Sequence, residues 1–168
     1  GRFPFASVSE AFKNLFFTKQ HDQESVLDYS KRFKEARNVL QSYIGDEIFH
    51  YFIENTSEYR DEDDEDKKQT MKDESFAVWS AYLLLKNADQ AKFGNLTNNM
   101  QTQYAMGNNQ YPRNVSKAVD IMSNYKVDNA KDWRKINKDK EKKKNNPPET
   151  KQETSFAQGG GKDCICYC

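Results

Sequence analysis

The spacing of hydrophobic positions predicts helices along the first three-quarters of the chain. The clearest pattern lies in "QESVLDYSKRFKEARNVLQSYIG", at 23–45. Its apolar residues recur every three or four positions and form one stripe: Val26, Tyr29, Phe33, Ala36, Leu40 and Tyr43. Gly45 follows, where a helix C-cap is expected. No segment alternates between apolar and polar residues with a period of two, so the pattern predicts an all-α fold.

Further helices are predicted on either side of this segment. "SVSEAFKNLFF" resembles a capping box, with Ser7 as N-cap and Glu10 three residues later. "DEIFHYFIEN" predicts a short helix, and the apolar run at 76–85 predicts a central buried one. A helix over 89–107 and a last one capped by Asn114 follow. We therefore predict a compact bundle of about six helices within residues 1–128. Five aromatic residues are expected in its core: Phe12, Phe16, Tyr29, Phe33 and Trp79.

The charges are balanced in total but segregated along the chain. Lysine and arginine number 26, aspartate and glutamate also number 26, and the formal net charge is zero. Residues 58–66, "EYRDEDDED", are almost wholly acidic, and self-repulsion predicts an extended, solvated segment there. Residues 131–144, "KDWRKINKDKEKKK", carry the opposite charge. A flexible linker rich in lysine, asparagine and proline is expected over 129–163.

Several function classes find no support in the sequence. His21 and His50 lie on different predicted elements, without a nucleophile at a motif spacing, and the chain has no phosphate-binding glycine loop. The acidic run lacks the alternating ligands of a calcium loop. No apolar run approaches the roughly 18 residues of a membrane span, and no signal peptide is recognisable. We expect an intracellular protein that is not an enzyme and does not bind a membrane.

The basic stretch 131–144 is a candidate nucleic-acid-binding segment. Lysines on a flexible chain neutralise phosphates without reading the base sequence. Trp133 either stacks on an unpaired base or anchors the end of the last helix to the core. Solubility and nuclear targeting are alternative roles for the lysines. The candidate residues are Lys131, Trp133, Arg134, Lys135, Lys138, Lys140, Lys142, Lys143 and Lys144.

All three cysteines lie in "CICYC" at 164–168. Zinc knuckles begin with C-x-x-C, but these cysteines are separated by two, two and four positions. A cysteine one position beyond Cys168 would pair with Cys166, so we interpret 164–168 as the start of a truncated zinc knuckle. Double prenylation of a terminal Cys-x-Cys and three exposed thiols without a role remain alternatives. Prenylation of the C-a-a-X type requires a cysteine where Ile165 stands.

Three segments resemble the Gag proteins of copia-type retrotransposons. "KQHDQESVLDYSKRFKEARNVL" is similar to that family's signature helix. "GNNQYPRNVSKAVDIMSNYK" is similar to its later turn and helix, and "TSFAQGGGKDCICYC" to the approach to its zinc knuckle. In the first segment, the residues that match the family motif are Gln20, Glu24, Ser25, Tyr29, Arg32 and Phe33.

The resemblance implies a capsid-type structural protein. Its helical domain would assemble with copies of itself in cytoplasmic particles, and its tail would bind RNA, with zinc in the full-length protein. The family's N-terminal capsid helices and the rest of its knuckle would lie beyond the two ends of this sequence. A helical adaptor derived from such an element, without self-assembly, is the alternative interpretation.

Overall fold

A computed structural model describes residues 1–125 of the chain. These residues form eight α-helices and no strand, which confirms the predicted all-α class. The helices are α1 (Pro4–Phe16), α2 (Val26–Ile44), α3 (His50–Glu54), α4 (Ser57–Asp61), α5 (Glu65–Asp73), α6 (Ser75–Lys86), α7 (Gln90–Ala105) and α8 (Val115–Asn124). The predicted linker 129–163 and the cysteines at 164–168 lie outside the described residues.

The core forms where α1 packs along α2 and α6 packs along α8. Helix α2 also contacts α6 and α8, so one apolar interior is shared by both pairs. Tyr29, Phe33 and Leu40 of α2 are completely buried, as the stripe predicts. Full burial of side chains of this size contributes about 1.5–3 kcal/mol each.

Helix α6 is the central element, as its sequence predicts. Ala81, Leu84 and Leu85 are buried on several sides of the helix. Helix α7 adds Phe93 and Met100 to the same cluster. The residues before this apolar run form a separate helix, since α5 ends at Asp73 and α6 begins at Ser75.

The acidic run is not extended, and here the prediction was wrong. Residues 58–66 contribute to α4 and α5, which raises the number of helices within residues 1–125 above the predicted six. Thr56 caps α4, and Asp64 caps α5 by accepting from the backbone N–H groups of Asp66 and Lys67. Acidic side chains in a first turn also interact favourably with the helix dipole. Capping therefore outweighs the self-repulsion of the run.

Two of the three predicted helix caps are confirmed. Asn114 caps α8, since its side-chain oxygen accepts from the N–H of Lys117 at 2.9 Å. Gly45 ends α2 with a φ of 70°, a conformation that glycine adopts without strain. The prediction of a capping box at Ser7 was wrong, because α1 already begins at Pro4. Proline suits the first helical position, since its fixed φ matches the helix and it has no N–H to leave unpaired.

Three aromatic residues are exposed, two of which, Phe16 and Tyr43, were expected to be buried. Phe16, Tyr43 and Tyr104 are 46%, 55% and 50% exposed. Each lies in the last turn of its helix, α1, α2 or α7. A periodic stripe continues to the end of a helix, whereas packing stops where the neighbouring helix no longer runs alongside.

Candidate functional site

The residues that resemble the family motif meet at the start of α2. The carboxylate of Glu24 accepts two hydrogen bonds from the Arg32 guanidinium, each 2.7 Å long. The same guanidinium donates to the backbone oxygen of Lys19 at 2.7 Å. Its hydrogen bonds to Glu24 hold the pKa of that carboxyl below its usual value. This bidentate pair fastens the connection between α1 and α2 to the first turns of α2.

Gln20 links that connection to the turn between α6 and α7. Its side-chain nitrogen donates to the backbone oxygen of Glu24 at 3.0 Å, and its side-chain oxygen accepts from the N–H of Asp89 at 2.9 Å. Its own backbone N–H donates to the oxygen of Asn87 at 2.9 Å. The Gln20 side chain is buried, so these bonds satisfy groups that water does not reach.

The Asn87 side chain binds the same connection. Its amide nitrogen donates to the backbone oxygens of Phe16 and Thr18 at 3.2 and 3.1 Å. We call this set of polar contacts between 16–32 and 84–90 the junction. It fixes the end of α1 against the end of α6.

The junction also satisfies the carbonyl groups that end α6. The Tyr29 hydroxyl donates to the oxygen of Leu84 at 2.7 Å, and burial raises the pKa of Tyr29. The Gln90 amide donates to the oxygens of Leu85, Lys86 and Ala88. The last carbonyls of a helix lack partners within it, so side chains from α2 and α7 complete this terminus.

The last two motif residues stabilise α2 itself. Ser25 is the N-cap, with its hydroxyl accepting from the N–H of Asp28 at 3.1 Å. Phe33 is fully buried and meets the Tyr29 ring edge to face, with ring centroids 6.2 Å apart. All six motif residues therefore hold the fold together in this structure.

The surface feature suited to a partner is a group of aromatic residues around Trp79. The Trp79 ring contacts the rings of Phe16, Phe49 and Phe76, with centroids 6.2, 5.1 and 5.6 Å apart. Phe76 is buried, whereas Phe16 is about half exposed. Trp79 thus joins the core to the surface between α1 and α3.

Three further aromatic residues that follow Phe16 and Phe49 closely in the sequence are exposed. Phe17, Tyr51 and Phe52 are 71%, 80% and 64% exposed. Large exposed apolar side chains are typical of protein–protein contact sites where they form one patch. We call the following residues the aromatic surface: Phe16, Phe17, Ile48, Tyr51 and Phe52. The sequence did not predict it, because Phe16 was expected in the core and α3 was given no role.

The remaining candidate residues are not covered by the structure. The basic set from Lys131 to Lys144, including Trp133, lies outside the described residues, as does Cys166. Residues 1–125 contain no group of three or more histidine, cysteine, aspartate or glutamate side chains placed to hold a metal ion. None of the helices in this part of the chain is long and apolar enough to cross a lipid bilayer.

Comparisons with protein-family models, with curated proteins and with solved structures found no match to this chain.

Proposed function

We propose that the chain is a structural, Gag-like protein of a copia-type retrotransposon. Its helical domain associates with further copies of itself, and the basic stretch 131–144 binds RNA with little sequence preference. In a longer protein, Cys166 supplies the first ligand of a zinc knuckle. The particles assemble in the cytoplasm.

The aromatic surface is the observation that carries self-association. Tyr51 and Phe52 project from a five-residue helix, and each leaves well over half of its area in water. Burying such rings against a second copy removes apolar area from water at about 25 cal/mol per Å². The formal net charge of zero keeps the overall repulsion between copies low.

RNA binding is supported by the composition of the tail. Eight lysine and arginine residues against three acidic ones lie within 131–144. If all eight contact phosphates, the log–log dependence of affinity on salt has a slope of about −6 for a single strand. Binding of this kind gathers RNA without reading its sequence.

The test of self-association is light scattering of the full 168-residue chain over a concentration series. We expect the average mass to rise with concentration, and the rise to weaken in a Tyr51→Ser, Phe52→Ser double variant. Tyr43→Ser is the matched control, because Tyr43 is similarly exposed but lies outside the aromatic surface. A wild-type chain that stays monomeric throughout contradicts assembly and favours the adaptor alternative.

A further inference from the structure

Three tyrosines meet on the surface formed by α6, α7 and the segment before α8. The Tyr111 ring lies against Tyr82 and Tyr104, with centroids 5.9 and 6.1 Å apart and edge-to-face geometry. The Tyr111 hydroxyl donates to the side-chain oxygen of Gln101 at 3.1 Å. Tyr82 and Tyr104 are 46% and 50% exposed. Tyr111 is therefore held in place, while its two neighbours keep ring area available to a ligand.

Two clefts lie next to Tyr111. The first has a volume of about 240 Å³, and its walls include Tyr82, Lys86, Asn98 and Gln101. The second, of about 380 Å³, is bordered by Arg113, Lys117, Asp120 and Ile121. Tyr111 lines both. The two clefts share Tyr111, and we call them together with Tyr82 and Tyr104 the strip, which carries aromatic, amide and charged side chains.

The charges of the strip sum to one positive charge, because Glu74 balances Arg113 and Asp120 offsets one of the two lysines. Arg113 donates to one carboxylate oxygen of Glu74 at 2.8 and 2.6 Å, so its charge is already balanced. Lys86 and Lys117 form no ion pair with another residue within 1–125. Lys86 borders the first cleft, and Lys117 borders the second together with Asp120.

Aromatic faces, side-chain amides and lysines together match the chemistry of an unpaired nucleotide. Every base has a flat π face that stacks on an aromatic ring, and its edge pairs with amide donors and acceptors. Its phosphate is attracted to lysine. We propose that the strip around Tyr82, Tyr104 and Tyr111 binds unpaired bases of single-stranded RNA, with Lys86 and Lys117 contacting the backbone.

A proline-rich peptide is the competing ligand, because such peptides also dock between aromatic side chains. It carries no phosphate for the two lysines. Its proline residues also lack the N–H donors that an amide oxygen accepts. The composition of the clefts therefore favours the nucleotide.

This inference rests on the proposed RNA binding and extends it from the tail to the helical domain. The two contributions differ in kind. The tail acts through phosphates and is salt-sensitive, whereas a stacked base adds affinity that depends on the presence of the base. Each can therefore fail without the other.

The test uses the full 168-residue chain and a short, fluorescently labelled oligouridylate, with fluorescence anisotropy as the readout. The same oligonucleotide without bases provides a ligand that cannot stack. We compare wild type with a Tyr82→Ala, Tyr104→Ala double variant, with Tyr82→Phe, and with Tyr43→Ala as an exposed-tyrosine control. The double variant should keep its fold, because both rings are about half exposed.

We expect the double variant to bind oligouridylate roughly 5- to 150-fold more weakly, the effect of losing one or more base stacks. Its salt slope and its affinity for the abasic ligand should equal those of wild type. Tyr82→Phe and Tyr43→Ala should bind as wild type does.

The proposal would be overturned if the double variant lost as much affinity for the abasic ligand as for oligouridylate. It would also be overturned if the double variant lost no affinity for oligouridylate. Displacement of oligouridylate from the clefts by oligoproline, with tighter binding of the peptide, would assign the strip to a peptide partner and also overturn it. A tail variant with an unchanged salt slope contradicts RNA binding by the tail, while the tyrosine result still stands by itself.

Discussion

The hydroxyl of Tyr29 donates a hydrogen bond of 2.7 Å to the backbone oxygen of Leu84, across 55 positions of the sequence. The bond lies in the interior and caps a carbonyl at the end of α6. Tyr29→Phe keeps the ring and its packing but leaves that carbonyl unsatisfied.

We expect Tyr29→Phe to lower the free energy of unfolding by about 1–3 kcal/mol, measured by urea denaturation followed by circular dichroism. Tyr51→Phe is the control, because the Tyr51 ring is 80% exposed. Equal stability of Tyr29→Phe and wild type would mean that the hydroxyl is not needed at this terminus.

The ion pair between Glu24 and Arg32 makes a pH-dependent contribution to the free energy of unfolding. Its hydrogen bonds lower the pKa of Glu24 in the folded state from an ordinary 4.5. The contribution is therefore fully present above pH 4.5 and is lost as the pH falls through the lower folded-state pKa. We expect Glu24→Gln to lower the free energy of unfolding at neutral pH by about 1–2 kcal/mol, since the pair is only partly exposed.

Denaturation of both proteins across an acid series checks this prediction. The difference between wild type and Glu24→Gln should shrink below pH 4.5, because wild-type Glu24 then takes up a proton. Glu35→Gln serves as control, since Glu35 is exposed and forms no ion pair within the described residues. A difference that is constant down to strong acid would contradict a role for the Glu24 charge.

Two N-caps suggested by the sequence should respond differently to alanine. Asn114→Ala removes the acceptor for the N–H of Lys117 and should cost about 1 kcal/mol. Ser7→Ala should change stability by less than about 0.5 kcal/mol, because Ser7 lies inside α1 and alanine is a better helix former. Thermal unfolding of both variants and wild type measures these differences in stability. A large loss of stability in Ser7→Ala would place the start of α1 near Ser7.

The tail should control the salt dependence of RNA binding. Replacing Lys142, Lys143 and Lys144 by glutamine removes three of the eight positive charges in 131–144. The log–log slope should become shallower by about 2. Replacing Lys13, Lys31 and Lys34 of the helical domain gives a control with the same change in net charge. Equal slopes for wild type and the tail variant would contradict phosphate contacts at these lysines.

Local patterns predicted the helices that carry their own signals. Helix α2 was predicted from its stripe and its terminal glycine, and α8 from its asparagine cap. The capping residues Thr56 and Asp64 were also readable, but the charge of the acidic run was given more weight. The lesson is that a charged segment with caps at the right positions can be helical.

The junction could not be predicted in the same way. Gln20, Asn87 and Gln90 are ordinary polar residues near helix ends, and nothing in their spacing shows that they meet. Asn87 and Asp89 form hydrogen bonds with residues near the end of α1 and in the connection to α2. These partners lie 69 or more positions away in the sequence. The exposure of Phe16 depends in the same manner on where neighbouring helices stop.

The long sequence separations at the junction lead to an expectation about the order of folding. Helices α1 and α2 adjoin in the chain and can pair as soon as residue 44 is available. The end of α6 is completed only when Tyr29, Gln20 and Gln90 are all in place. Closing a loop of this length costs conformational entropy before any of these bonds form. We therefore expect the contacts between 16–32 and 84–90 to form late in folding, after α1 and α2 have paired.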